Sequence, residues 1–387
     1  MFAQAYLNTA QEILRGYMGE EPFSSFLKKY FTINKKFGSR DRKHITHLCY
    51  CFFRLGKSLE SIPVSQKIIL GLFLCNDLKT VLLQKLDPNK NEKAEENLEQ
   101  KLKWVKAEYK FKEEDIFPYS EFLSDKVEHK DFSKSFLIQP QVYLRIRPGK
   151  EARIKEKLSK ANIHFHSLTE CIITIDQATK LNEILEINKE AVVQDYNSQQ
   201  TVNLLLQHVP GSEIKTAWDC CAASGGKSIL LKDFFPAVEL TVSDIRESIL
   251  VNLKKRFHQA GIKRYKTKVV DLSVSSLNDP LKFDLVICDA PCSGSGTWSR
   301  TPEQLYFFNE KKISEYSILQ KNIVGNALKS LKKDGYFLYI TCSVFKNENE
   351  EIVQFMEGHF KLKLIGSGYL KGYHQKADTL FTALFIL

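Results

Sequence analysis

Two cysteines stand where side chains could do chemistry. Cys292 ends Asp289-Ala-Pro-Cys292, just beyond an apolar run that starts at Phe283, and Cys342 follows the apolar run Gly335–Thr341. Short unbroken apolar runs are the pattern of strands buried on both faces of a parallel sheet. Pro291, Gly294 and Gly296 then force the first of them into a tight loop. Open α/β sheets bind their ligands just beyond such carboxyl ends. If the two strands are neighbours, both thiols and the Asp289 carboxyl overhang one cleft. The thiolate is the reactive form, and at an ordinary pKa of about 8.5 only a few per cent exists at neutral pH, so an attacking thiol needs local stabilisation. The structural alternative is that Asp289 caps the next element and Cys292 is a small buried filler.

Other polar groups end the neighbouring apolar runs. Asp219, Asp244, Asp271 and Asp289 close four successive candidate strands. One such aspartate is commonplace as a helix cap; four in succession point to a ligand. After Asp219 come Cys220, Cys221, Ala222, Ala223, Ser224, Gly225, Gly226, Lys227 and Ser228. Small residues let the backbone approach a ligand, and the helix that follows offers unpaired N–H groups. Three readings of this turn compete. The dinucleotide pattern G-x-G-x-x-G is absent; a phosphate-binding loop fits at Gly226-Lys227-Ser228 but has Cys221 where its first glycine belongs. The third is the nucleoside-binding turn of an S-adenosylmethionine-dependent methyltransferase, with Asp244 on the ribose hydroxyls and Asp271 towards the adenine amino group.

Two thiols and an aspartate beside a methyl donor suit alkylation of carbon 5 of cytosine. That carbon is too weak a nucleophile unaided. A thiolate adding at C6 makes it enamine-like, provided N3 receives a proton or a strong hydrogen bond, which Asp289 could supply. A base then removes the C5 proton, and elimination frees the thiol. The target base must leave any stack, so single-stranded or flipped-out RNA is the natural substrate.

The elements that must position these groups follow from patterning. The chain has 387 residues, 43% of them hydrophobic and 26% charged, an ordinary globular balance with room for two or three domains. Net charge of +10 favours an anionic partner, nucleic acid first. No apolar run is long enough to span a membrane, and no cationic leader precedes an apolar core, so neither membrane insertion nor secretion is expected. Nine cysteines form neither a disulfide framework nor paired zinc motifs. We therefore expect a monomer of the reducing cytoplasm, without a metal.

Residues 1–84 read as helices, with boundaries at Phe23–Phe31, His44–Leu55 and Ser65–Leu83. Seven Lys or Arg and one acid lie between Lys28 and Lys43, a cluster able to track a phosphate backbone. Residues 86–103 are charged enough for a surface loop or exposed helix. At Gln141–Arg147 the period becomes two, with Val142, Leu144 and Ile146 on one face and Tyr143, Arg145 and Arg147 on the other, suited to stacking on bases. From Thr216 strands and helices alternate, as in a doubly wound sheet. The third strand is expected over Lys268–Asp271, one long helix over Pro302–Lys332, and Asn347 with Glu350 as caps of the last helix.

On these residues the chain resembles the Nol/Nop/Sun (NSUN-type) family of RNA cytosine-5 methyltransferases. The likeness rests on Asp289–Trp298, Thr341-Cys342-Ser343 with Glu348-Asn-Glu350, Cys221–Lys227 and Val193–Gln199. Phe37–Lys43 and Cys51–Gly56 are similar to the NusB-like domain of its RsmB-like, bacterial ribosomal-RNA branch. The resemblance implies an α/β fold: a Rossmann-like S-adenosylmethionine methyltransferase sheet over 211–387, a small α+β RNA-contacting subdomain over 131–210, and an all-helical NusB-like domain over 1–130. It implies S-adenosyl-L-methionine as cofactor and 16S ribosomal RNA as substrate. Cys342 would be the nucleophile and Cys292 would assist breakdown of the adduct. Residues Cys221, Ala222, Ala223, Ser224, Gly225, Gly226 and Lys227, with Asp244, Asp271 and Asp289, would hold the cofactor. Ser224 stands where the family has proline, and the missing ring should loosen the turn. A transfer-RNA methyltransferase, a non-catalytic RNA-binding assembly factor and a phosphate-loop NTPase are the competing functions.

Overall fold

The computed structural model describes residues 2–176, 179–277 and 281–387. The chain divides into two compact units, one of residues 1–123, 128–139 and 297–310, the other of 124–127, 140–296 and 311–387.

The first unit is helical. Apolar residues three and four apart put Tyr6, Leu7, Ala10 and Ile13 on the buried face of Ala3–Gly16, and the helix Ser39–Arg54 buries Ile45, Leu48, Cys49 and Phe52. Its start differs from the expected His44: the Gly38 amide donates to the Asp41 carboxylate at 2.9 Å, which draws Arg40, Arg42 and Lys43 into the first turn. The expected Ser65–Leu83 helix is instead Val64–Cys75, and a new helix, Val81–Leu86, is capped by the Thr80 hydroxyl. Residues 98–108 are helical too, and Lys101 is fully buried with its ammonium on the Asn76 carbonyl. The expected long helix over 302–332 breaks into Pro302–Phe307 and Lys311–Leu328. The shorter piece joins the helical unit, where Phe307 meets Tyr17 and Phe53 edge-on or tilted.

The second unit holds two sheets. Strands β1 (Val142–Ile146), β2 (Phe165–Ser167), β3 (Ile172–Ile175) and β4 (Ala191–Val193) form an antiparallel sheet in the order β2-β3-β1-β4. Leu144, Ile146 and Ile173 pack on Ile154 and Leu158 of the helix Glu151–Lys160. The alternation read from sequence holds, but the polar face does not meet solvent. Tyr143 is 2% and Arg145 5% exposed. Arg145 and Arg147 both bind Asp233 on the helix Gly226–Phe234, Arg147 through Nη2 at 2.7 Å, and Arg145 also donates to Gln194. Those guanidinium groups are therefore structural and not an RNA-facing surface. Removing Asp233 would leave two largely buried cations, a loss of about 3–5 kcal/mol.

The larger sheet contains β5 (Thr216–Asp219), β6 (Glu239–Asp244), β7 (Tyr265–Val269), β8 (Phe283–Asp289), β9 (Leu331–Thr341), β10 (Lys363–Leu370) and β11 (Leu380–Ile386), in the order β10-β11-β9-β8-β5-β6-β7. Strands β5 to β9 run parallel; β11 is antiparallel to β9 and to β10. Alternate residues serve opposite faces. Ala217, Leu285 and Ile287 pack beneath Ile229, Leu253 and Phe257, while Trp218, Val286 and Cys288 pack beneath Ile323, Val324 and Ile352. β7 ends two residues before the expected Asp271, and β10 had no clear sequence signal because every residue after its first is only half-buried. From β5 the chain winds outward through β6 and β7, then returns to β8 on the other flank of β5. That reversal opens a crevice beyond the ends of β5 and β8. No helix among the described residues is long and apolar enough to cross a membrane.

Candidate active site

A pocket of about 470 Å³ lies in that crevice. Its walls include Cys221 and Ala223 after β5, Asp244 at the end of β6, Asp271 after β7, and Asp289 and Cys292 at and after β8. Six of the expected site residues thus meet around one cavity. Ile245, Val270 and Leu319 add apolar wall between the acids.

The remaining residues of the turn shape it rather than line it. Ala222 donates its N–H to the Ser243 carbonyl at 2.8 Å, and Ala223 donates to Asp244 at 3.0 Å from a left-handed backbone with φ of 45°. Gly225 has φ of 82°, and a Cβ there would come within 2.7 Å of the Phe257 ring, so only glycine fits. Gly226 opens the helix Gly226–Phe234. Ser224 is held firmly: Arg256 donates to its hydroxyl at 2.7 Å and to its carbonyl at 3.1 Å. A guanidinium thus pins the turn where a proline ring would have stiffened it.

Electrostatics pair the acids differently. Asp244 accepts from the backbone and side chain of Arg246 at 3.0 and 3.1 Å, and Asp271 accepts the Ser273 amide at 2.9 Å. The Lys227 ammonium lies 2.6 Å from Asp289. Burial is the largest single influence on Lys227 and would lower it, but the surrounding negative charge, Asp289 first, together outweighs it and raises the ammonium. Asp219 is 1% exposed, takes a hydrogen bond from Ser228 through Oδ2, and has no partner for Oδ1 among the described residues. Burial pushes this carboxyl up to about 7, with the Ser228 bond opposing.

The two thiol loops are tied together. The Cys342 amide donates to the Cys292 sulfur at 3.3 Å, and the Gly296 amide donates to the Cys342 carbonyl at 2.8 Å. Gly296 can have no side chain, since its Cβ would stand 1.9 Å from the Thr379 carbonyl oxygen. The Cys342 side chain and then burial raise the Cys292 thiol well above its ordinary range, with the amide bond from Cys342 opposing them.

Sequence reasoning quoted Glu348 only as part of a motif, yet it joins the loops. It is fully buried and accepts the Ser293 amide at 2.8 Å, the Ser343 hydroxyl at 2.9 Å and the Gln320 amide at 3.2 Å. Asn349, beside it, donates to the Ser343 carbonyl at 2.8 Å. The last helix is Glu350–His359, preceded by Asn349 without a side-chain cap; Asn347 bonds Glu351 instead of capping.

Residues 205–381 match the family model described as 16S rRNA methyltransferase RsmB/F. Ribosomal RNA small subunit methyltransferase B of Yersinia enterocolitica is 28% identical over 249 residues, 59% of this chain and 54% of that protein. The protein of the same name from Erwinia tasmaniensis is 32% identical over 183 residues, 46% of this chain and 41% of its own length. The chain thus spans about half the length of the curated relatives it matches. NSun6 from Pyrococcus horikoshii, crystallised with SFG, superposes with a TM-score of 0.59 at 16% identity over 70% of this chain and 96% of that one, a likeness of fold. Residues 205–381 are thus similar to the S-adenosylmethionine-dependent methyltransferase domain of the RsmB/F family.

Proposed function

We propose that the protein methylates carbon 5 of a cytosine in small-subunit ribosomal RNA, through a covalent bond from Cys342 to C6. The observation that carries this reading is the junction of the two thiol loops, with Cys292 hydrogen-bonded to Cys342 beside a pocket walled by Asp244, Asp271 and Asp289. That pocket fits S-adenosylmethionine in donor chemistry: carboxylates suited to ribose hydroxyls and an amino group, with apolar wall for a flat base. Asp244, Asp271 and the 221–227 turn would hold it. When bound, it supplies an electrophilic methyl group on a sulfonium.

The chain's own residues account for the rest. The Cys342 thiolate forms the bond to C6, and the proton shared between Lys227 and Asp289 passes through the Asp289 carboxyl to N3 as its electron pair arrives, returning on elimination. While Cys342 is free, its sulfur holds the Cys292 proton in place. Once that sulfur is bonded to carbon it is a poor acceptor, and Cys292 is released to ionise and take the C5 hydrogen. The Cys342–C6 bond then breaks, returning its electron pair to sulfur.

The test is to incubate the purified protein with labelled S-adenosylmethionine and either 16S ribosomal RNA fragments or transfer RNA, then locate 5-methylcytosine by bisulfite sequencing. Label in ribosomal fragments at a bisulfite-resistant cytosine is the expected result. Label only in transfer RNA would move the substrate, and methylation at another atom would overturn the chemistry.

A further inference from the structure

Three of the nine cysteines converge beside that pocket, and of them only Cys221 has a part in that scheme, as one residue of the turn. Cys220 and Cys221 follow β5, and Cys288 lies on the adjoining strand β8, where the Cys220 amide continues the sheet by donating to Ile287 at 2.9 Å. Their sulfurs all lie within 4.8 Å of one another. Cys220 is 1% and Cys288 0% exposed, whereas Cys220 and Cys221 both contribute to the pocket wall. The cluster is dry on the sheet side and open on the pocket side.

We propose that Cys220, Cys221 and Cys288 form a three-sulfur site for a thiophilic d10 cation such as Cd²⁺, Zn²⁺ or Cu⁺, at the wall of the methyltransferase pocket. The ligand set contains only sulfur, which selects soft cations over Mg²⁺ or Ca²⁺. Sulfurs about 2.3 Å from a tetrahedral ion stand about 3.8 Å apart, so these need close by no more than roughly 1 Å. Three protein ligands leave the fourth position facing the pocket. Each thiol binds as thiolate and gives its proton to solvent, so affinity rises with pH. Resting on the reading of the pocket as the cofactor's, an ion there excludes the cofactor from the wall it would lie against. The site is a point of inhibition by soft metals, distinct from the Cys292 and Cys342 pair.

The test is titration of the full chain with Cd²⁺, followed by sulfur-to-metal charge-transfer absorption in the ultraviolet. One equivalent should saturate the wild type and the Cys292→Ser/Cys342→Ser double variant alike. Cys220→Ala and Cys288→Val, checked for folding by circular dichroism, should each bind at least tenfold more weakly. An undiminished band in both of these, or its loss in the double variant, would overturn the site. Calorimetry with S-adenosylhomocysteine then reads the coupling. One equivalent of Cd²⁺ should weaken its binding at least tenfold in the wild type and leave Cys288→Val unchanged; equal affinity with and without Cd²⁺ in the wild type would overturn the exclusion. Failure of the metal-free protein to bind S-adenosylhomocysteine would overturn the cofactor reading and the coupling together, while the absorbance titration decides the sulfur site on its own.

Discussion

The Cys342 amide bond favours the Cys292 thiolate, but the Cys342 side chain and burial outweigh it and raise that thiol. In the proposed reaction Cys292 therefore keeps its proton while Cys342 attacks. Cys342→Ala should abolish both methyl transfer and any protein–RNA adduct. Cys292→Ala should still attack but release slowly, leaving an adduct visible as a shifted band on a denaturing gel; the opposite pattern would exchange the roles. Asp219 offers a second residue-level test through stability. Its folded pKa of about 7 lies above the ordinary aspartate value, so the native state binds about one more proton than the unfolded chain between roughly pH 4 and 7. Stability from this group is fully present below pH 4 and is lost as pH rises through 7. Asp219→Asn keeps an acceptor for Ser228 and removes the charge. Its melting temperature should therefore gain on wild type as pH rises from 4 to 8, and parallel curves would refute the assignment.

At the scale of elements, Glu348 does for the thiol loops what Asp233 does for the small sheet. Both are carboxylates between segments remote in sequence, and both accept more than one donor. Glu348→Ala leaves the Ser293 amide and the Ser343 hydroxyl without their acceptor, at a cost of about 1–3 kcal/mol. Hydrogen exchange should quicken at residues 293–296 and 342–344 while the amides of β5 and β8 stay protected; uniform acceleration would mean a global rather than a local role. These links also mark what the chain discloses before folding. Strand ends are legible in Phe283–Asp289 and Gly335–Thr341 because an apolar run and its polar stop are local. The partner of Arg145 is not, since Asp233 is remote in sequence, and an alternating polar face looks the same whether it meets RNA or a buried acid. Likewise the 302–332 stretch keeps helical composition throughout, and only tertiary packing draws Pro302–Phe307 into the other unit. The cofactor turn is legible as small residues; that Arg256 replaces proline's stiffness at Ser224 depends on a side chain from a later helix.

For the molecule as a whole, the excess of positive charge is the feature that bears on RNA. Burial of Arg145 and Arg147 removes two of the cations expected to serve, which shifts the weight to exposed ones. Within Lys28–Lys43, Lys28, Lys35, Lys36, Arg40 and Lys43 are exposed, whereas Lys29 is paired with Glu21 at 2.8 Å and Arg42 donates to the Phe37 carbonyl. An RNA bound here releases counterions as its phosphates are neutralised, so log affinity should fall linearly with log salt, by about 0.7 per phosphate on single strands. Changing Lys28, Lys35, Lys36 and Lys43 to Gln removes four charges from surface positions and should leave the fold intact. Measured by fluorescence anisotropy over a salt series, the slope should become shallower by roughly 3, with weaker binding at low salt and little change at high salt. Asp244→Ala supplies the contrast, because it alters the pocket without touching that surface: S-adenosylhomocysteine binding should weaken while the RNA salt slope stays that of the wild type. If the four lysine changes left the slope unaltered, the basic surface would be solvated charge with no phosphate to meet.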